Sequence, residues 1–244
     1  MTPQPPSAYQ HVPELWGRLV PPEASGLRFS DDDLQQWDAR AQLQGLPPDW
    51  RWPDAWVEQS RQQVLAPLGS GDLWVFAYGS LMWNPGLHFD EVRRARVAGY
   101  ERRFALAIPI GRGTVEQPGL TLTLEPAAGH CDGLAFRVPA ALVEHESRML
   151  WRREMIQGGY CPAWLALHTP QGAVQGVVLT ANACHPQHRS GWSLEQTART
   201  IAQAHGSLGS NRDYLDQLLA QCSTLGISDG YLECLGTKVE SVSG

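Results

Sequence analysis

The sequence predicts an α+β fold, with a strand-rich middle into which helices are inserted and to which more are appended. Three observations predict it. First, 10 Trp, 18 Pro and 24 Gly in 244 residues supply many rings and turn residues, as a loop-rich β-containing fold requires and a helical bundle does not. Second, apolar runs such as Leu73-Trp74-Val75-Phe76-Ala77-Tyr78 are short, β-rich and bounded by glycine, the pattern of buried strands. Third, the openings Ser193-x-x-Gln196 and Ser210-x-x-Asp213 are capping-box patterns that announce helices.

Taken in chain order, residues 1–29 are rich in proline and lack periodicity, which predicts an extended arm. Ser30 precedes Asp31-Asp32-Asp33, a good N-cap followed by acids suited to a helix N-terminus. Pro47-Pro48 stops that helix, and a second is expected from Pro53 to about Leu68. Composition changes at Gly69-Ser70-Gly71, so the chain divides into an N-terminal arm and helical extension (1–70) and a main domain (71–244). Strands are expected at Leu73–Tyr78, Val92–Ile108, Leu120–Leu124, Gly133–Val138, Tyr160–His168 and Ala173–Ala181. Helices are expected at Pro139–Gln157, Leu194–His205, Arg212–Leu225 and Gly230–Val239, with Gly206 and Gly226 as C-terminal glycines.

Composition also excludes classes of function. Apolar residues make up 43% of the chain and charged residues 18%, enough for an ordinary core. The formal net charge of −6 argues against a dedicated nucleic-acid partner, which needs a basic face. No apolar run approaches the roughly 18 residues of a membrane span. The opening Met1-Thr2-Pro3-Gln4-Pro5-Pro6 has neither the basic nor the apolar stretch of a signal peptide, so a cytoplasmic location is expected. Five cysteines with no Cys-x-x-Cys spacing read as free thiols.

Candidate chemistry is sparse. Tyr78-Gly79-Ser80-Leu81 follows a hydrophobic strand; it is either an ordinary turn or a nest of backbone N–H groups for an anion. Glu154 lies 4, 7 and 11 residues after Leu150, Ser147 and Val143, on a mostly apolar helix face. It is either a structural ion-pair partner of Arg152, Arg153 or a distant arginine, or a general base whose pKa burial raises. Gly158-Gly159 turns the chain sharply into a strand begun by Tyr160, a half-buried strand tyrosine or one presenting its hydroxyl to the same pocket. Cys184-His185-Pro186-Gln187-His188 invites a metal reading, but no second cluster completes a zinc ligand set, so no metal is expected. Ser80 does not sit in Gly-x-Ser-x-Gly, and neither His88 nor His130 is tied to it as a base. There is no phosphate-loop motif and no convincing dinucleotide fingerprint.

Against that background the segment Val75-Phe76-Ala77-Tyr78-Gly79-Ser80-Leu81-Met82-Trp83-Asn84-Pro85 resembles the signature of the ChaC-type γ-glutamylcyclotransferases. Four later segments agree in order: Gly111-Arg112-Gly113-Thr114 with Pro118-Gly119, Leu150-Trp151-Arg152-Arg153-Glu154-Met155, Gly158-Gly159-Tyr160, and Gly206-Ser207-Leu208-Gly209-Ser210-Asn211 with Tyr214-Leu215. The resemblance spans about residues 73–235. It implies a small mixed β-barrel with surrounding helices, and cleavage of glutathione to 5-oxoproline and cysteinylglycine without metal or cofactor. It implies Glu154 as catalytic carboxylate and Tyr78-Gly79-Ser80-Leu81 as substrate loop. Ser80, where other cyclotransferase branches often carry threonine, favours glutathione over γ-glutamyl amines. Arg112 is a candidate for a substrate carboxylate or a structural arginine. Two rival readings keep the scaffold: a cyclotransferase for another γ-glutamyl peptide or amine, and a non-catalytic binding module.

Overall fold

A computed structural model describes residues 5–243. Its centre is a closed five-stranded barrel in the order β1-β3-β2-β4-β5. The strands are β1 (Leu73–Ala77), β2 (Glu91–Ile108), β3 (Gly119–Val138), β4 (Tyr160–Thr169) and β5 (Gly172–Ala181). The barrel is mixed: β1 and β5 meet in parallel through Val75 and Val177, while the other pairs are antiparallel. All five residues of β1 are buried, which explains its continuous apolar run in place of polar–apolar alternation. Closure removes the exposed strand edges that an open sheet would present.

The two strands expected at Leu120–Leu124 and Gly133–Val138 are one continuous 20-residue strand. The intervening Glu125–Asp132 stretch reads as a loop by composition, but it pairs with the 18-residue β2 between Arg96 and Glu101, so the ladder carries it through. Tertiary pairing overrides local propensity here.

Four helices pack around the barrel: α3 (Val143–Glu154), α4 (Leu194–Gln203), α5 (Asn211–Leu225) and α6 (Gly230–Ser243). Capping boxes at Ser193 and Ser210 open α4 and α5. Gly226 closes α5 in the left-handed conformation, φ 61°. Gly206, expected at a helix end, instead belongs to a two-residue ladder, His205–Gly206 with Gly209–Ser210. A Cβ on Gly206 would lie 2.3 Å from the Gly111 carbonyl oxygen, so only glycine lets this turn sit on the Gly111–Gly113 loop.

The N-terminal region is less extended than its prolines imply. Residues 7–24 form three short 3-10 turns, and Val12 and Leu15 are fully buried in the main core. Helices α1 (Asp31–Leu43) and α2 (Asp54–Leu65) follow, α1 opened by a capping box at Ser30. A second, smaller core gathers Phe29, Leu34, Trp37, Ala41 and Trp50 with Ile110 from the rim of the barrel. Among the described residues, no helix is long and apolar enough to cross a membrane.

Candidate active site

Helix α3 ends at Glu154, and its inward face is the expected one, with Leu150 and Ser147 buried beside it. The chain then turns through Met155–Gly159 into β4. Gly158 makes this turn at φ 70°, where a Cβ would collide with the Trp52 ring at 2.1 Å. The tight turn leaves Glu154 at the mouth of the barrel, facing the segment that leaves β1.

That segment is Tyr78-Gly79-Ser80-Leu81. Residues Ser80–Met82 form a single 3-10 turn, held by Met82 N–H donating to Gly79 C=O at 2.8 Å and Asn84 N–H donating to Ser80 C=O at 2.9 Å. The turn and the helix end are joined by Arg153. Its Nε pairs with the Glu154 carboxylate at 2.8 Å, its Nη2 donates to Ser80 Oγ at 2.8 Å, and its Nη1 donates to Asn84 C=O at 2.7 Å. The Arg153 side chain is only 7% exposed and that of Glu154 14%. A buried cation with three fixed partners acts as a pin, and it sets the position of carboxylate and loop together.

Around Glu154 lies a cavity of about 30 Å³ lined by the Tyr78–Leu81 segment with Thr121, Leu122, Tyr160, Leu179 and Tyr214. Three tyrosines crowd it. Tyr78 donates its hydroxyl to Leu179 C=O at 2.7 Å, and Tyr160 to Leu122 C=O at 2.9 Å. Thr121 lines the cavity beside Tyr160 and Tyr214. Burial raises all three phenols above their usual range, so they stay neutral and polar at physiological pH. Burial also raises the Glu154 carboxyl above its ordinary value, and the charge and hydrogen bond of Arg153 offset this only in part. A carboxylate that is hard to keep ionised is a better proton acceptor than one in water.

A larger cleft of about 180 Å³ adjoins this cavity and shares Ser80, Thr121, Glu154 and Tyr160 with it. Arg112 is among its lining residues. The Arg112 loop is held by Leu208 N–H donating to Gly111 C=O at 2.8 Å, and Arg112 Nη1 donates to Ser210 C=O at 3.2 Å. Of the residues singled out in the sequence, Tyr78, Gly79, Ser80, Leu81, Glu154 and Tyr160 thus share one cavity, and Arg112 lies in the cleft next to it. The Cys184–His188 segment is elsewhere. His188 pairs with Glu125 at 2.9 Å, and His185 bonds Gln157 C=O at 3.0 Å. Among the described residues no cluster of His, Cys, Asp or Glu is arranged to hold a metal, and all five cysteines are free.

Several residues of the site carry no readable signal of their own in the sequence. Thr121 is one threonine among many in a strand. Tyr214 occurs within the matching segments, but only the fold carries it from α5 to the cavity. Trp37 and Trp50 stand some hundred residues from Glu154 in the chain.

The model of the ChaC-like protein family matches residues 73–242. The chain belongs to the ChaC-like family. Among its relatives, the glutathione-specific γ-glutamylcyclotransferase of Escherichia coli is 39% identical over 216 residues, covering 86% of this chain and 92% of the relative. The enzyme of the same name from Schizosaccharomyces pombe is 34% identical, over 66% of this chain and 86% of its own. In fold, this ChaC-like chain superposes on the crystal structure of a glutathione-specific γ-glutamyl cyclotransferase from yeast with a TM-score of 0.64, at 22% identity, covering 71% of this chain and 100% of that one.

Proposed function

We propose that the protein is a γ-glutamylcyclotransferase that cleaves glutathione to 5-oxoproline and cysteinylglycine. The observation that carries this reading is a single one. A buried carboxylate with a raised pKa faces the Tyr78–Leu81 segment across a small cavity, in a chain whose relatives over most of its length bear that enzyme's name.

The chemistry requires little more. In a γ-glutamyl amide the α-amine can attack the γ-carbonyl of the same residue and close a five-membered ring. Folding the substrate into that geometry supplies roughly 7–11 kcal/mol of the barrier. The amine is mostly protonated at neutral pH, since such groups titrate near roughly 8. Glu154 accepts the proton and, once protonated, returns it to the departing cysteinyl nitrogen. The Tyr78–Leu81 segment with Tyr160 holds the glutamyl half, and the neutral phenols and the Thr121 hydroxyl offer hydrogen bonds without competing charge. Arg112 receives the glycyl carboxylate in the adjoining cleft. Residues 71–244 form the catalytic unit, and residues 1–70 an extension of it.

The test is incubation of the purified protein with glutathione, γ-glutamylalanine and a γ-glutamyl-lysine amide, with 5-oxoproline as readout. Preferential release from glutathione supports the proposal. Preference for another compound moves the activity to a different γ-glutamyl substrate, and no release from any of them leaves a binding module.

A further inference from the structure

Arg112 apart, the larger cleft is lined mainly by apolar side chains, and the cysteinylglycine half of the substrate gives them little to cover. Cysteinylglycine offers one CH₂–SH group and otherwise polar atoms. The apolar lining of the cleft includes Phe29, Trp37 and Trp50 of the N-terminal extension together with Ile108, Ile110 and Leu208 of the main domain. These are large apolar side chains, and a thiol covers little of them. Nor is the wall loose. Phe29 and Trp37 pack edge to face with centroids 5.9 Å apart, and Trp50 Nε1 donates to Asp38 Oδ1 at 2.8 Å. Asp38 is in turn paired with Arg51 at 2.8 Å. The wall is therefore preformed, with its indole planes already fixed before any ligand arrives.

We infer that this cleft is an apolar subsite for a substituent on the substrate's sulfur, so that the protein turns over γ-glutamyl-cysteinyl peptides S-alkylated or S-arylated at cysteine, at least as well as free glutathione. The inference rests on the proposed cyclotransferase reading and extends it to a substrate class. The cleft is continuous with the reacting cavity through Glu154, Ser80, Thr121 and Tyr160, so a group attached two bonds from the cysteinyl Cα reaches it directly. The chemical step is unchanged. The α-amine nitrogen bonds the γ-carbonyl carbon, the amide C–N bond breaks, and one proton passes through Glu154 to the leaving nitrogen. The products are 5-oxoproline and S-substituted cysteinylglycine, with no co-reactant.

The test uses the full-length protein with glutathione and its S-methyl, S-butyl and S-hexyl derivatives, following 5-oxoproline. Each buried methylene is worth up to about fourfold in affinity, so kcat/KM is expected to rise by about tenfold or more from S-methyl to S-hexyl. Trp37→Ala and Trp50→Ala should each lower the ratio of S-hexyl to glutathione efficiency by about tenfold, and the Phe variants should restore part of it. If the alanine variants do not fold, calorimetric titration of Glu154→Gln protein with the same series decides the matter, since tighter binding with chain length needs no turnover. Turnover of glutathione with a flat or falling S-alkyl series overturns the subsite. No 5-oxoproline from glutathione or any derivative overturns the proposed reaction instead, and the binding series then still decides the subsite.

Discussion

Helix α3 carries two inward glutamates two turns apart, Glu146 and Glu154, and they meet opposite fates. Glu146, 1% exposed, is enclosed by cations: Arg28 reaches it at 2.5 Å, and His88 bonds it through Nδ1 at 2.8 Å and through its backbone N–H at 3.1 Å. Burial by itself would raise this carboxyl, but those bonds hold it below its usual value. Glu154 has only Arg153 to offset the same burial penalty, and Arg153 divides its donors between the carboxylate, Ser80 and the Asn84 carbonyl. Its carboxyl is raised. Burial alone therefore does not mark a functional carboxylate. The number of donors left for it decides, because each bond to the ionised form favours that form. One glutamate ties the N-terminal arm to the domain; the other is left with fewer donors and a raised carboxyl.

The largest expected effect separates the two by activity. Glu154→Gln keeps the size and removes the basicity, so kcat on glutathione should fall by about 100-fold or more, while Glu146→Gln should stay within a few-fold. Steady-state kinetics on both variants checks this. Near-normal turnover by Glu154→Gln would make Glu154 a second structural carboxylate.

The next separates them by stability. Glu146→Gln takes the counter-charge from Arg28 and leaves His88 paired with the exposed Glu23. Breaking a buried pair costs about 3–5 kcal/mol, and the exposed side of His88 reduces this to about 2 kcal/mol here. In a chain of this size that is a fall in Tm of about 4–8 °C at pH 7. A calorimetric Tm within a degree of wild type would mean that the network contributes nothing.

A smaller effect tests the cleft. Arg112→Ala should lower efficiency on glutathione about tenfold more than on γ-glutamylalanine amide, which ends without a carboxylate; that gap corresponds to about 1.4 kcal/mol, within the range of one charge-assisted hydrogen bond. Equal losses on both substrates would assign Arg112 to the glutamyl half or to the fold.

The smallest effect is one of sign. A carboxyl whose folded pKa is raised contributes stability below its unfolded value of roughly 4.3 and loses it as pH rises through the folded value. Glu154→Gln should therefore melt slightly above wild type at pH 7, with the gap closing in acid. For Glu146 the folded pKa is lowered, so its contribution is present at neutral pH and fades as pH falls through that value. Thermal melts of both variants between pH 4 and pH 7 should show gaps of opposite sign. Gaps of the same sign would remove the contrast between the two glutamates.

Much of this was legible in residues alone. The N-cap at Ser30, the capping-box openings at Ser193 and Ser210, the inward face of α3 and the apolar β1 run are local patterns, and local patterns survive whatever surrounds them. The five segments that resemble the ChaC-type signature also name most of the cavity, because a site built on turns leaves glycines and fixed spacings in the chain. The Glu125–Asp132 stretch was not legible as strand, since its polar residues acquire β structure only by pairing with β2. The proline-rich arm was not legible as packed, since Val12 and Leu15 become core only when the barrel offers them a surface.

The sequence by itself determined the α+β class, the starts of the serine-capped helices and the inward face that carries Glu154, because periodicity and capping act over a few residues. Only the tertiary structure decided which glutamate of α3 is satisfied and which is not, that Arg153 pins the loop to the helix end, and that Trp37 and Trp50 wall the cleft. Each of these depends on contacts between parts of the chain far apart in sequence: His88 and Arg28 reach Glu146 from 58 and 118 residues away, and Arg153 reaches Ser80 across 73. Local chemistry can place a carboxylate on an inward face, but the donors that meet it there are set by how the barrel closes.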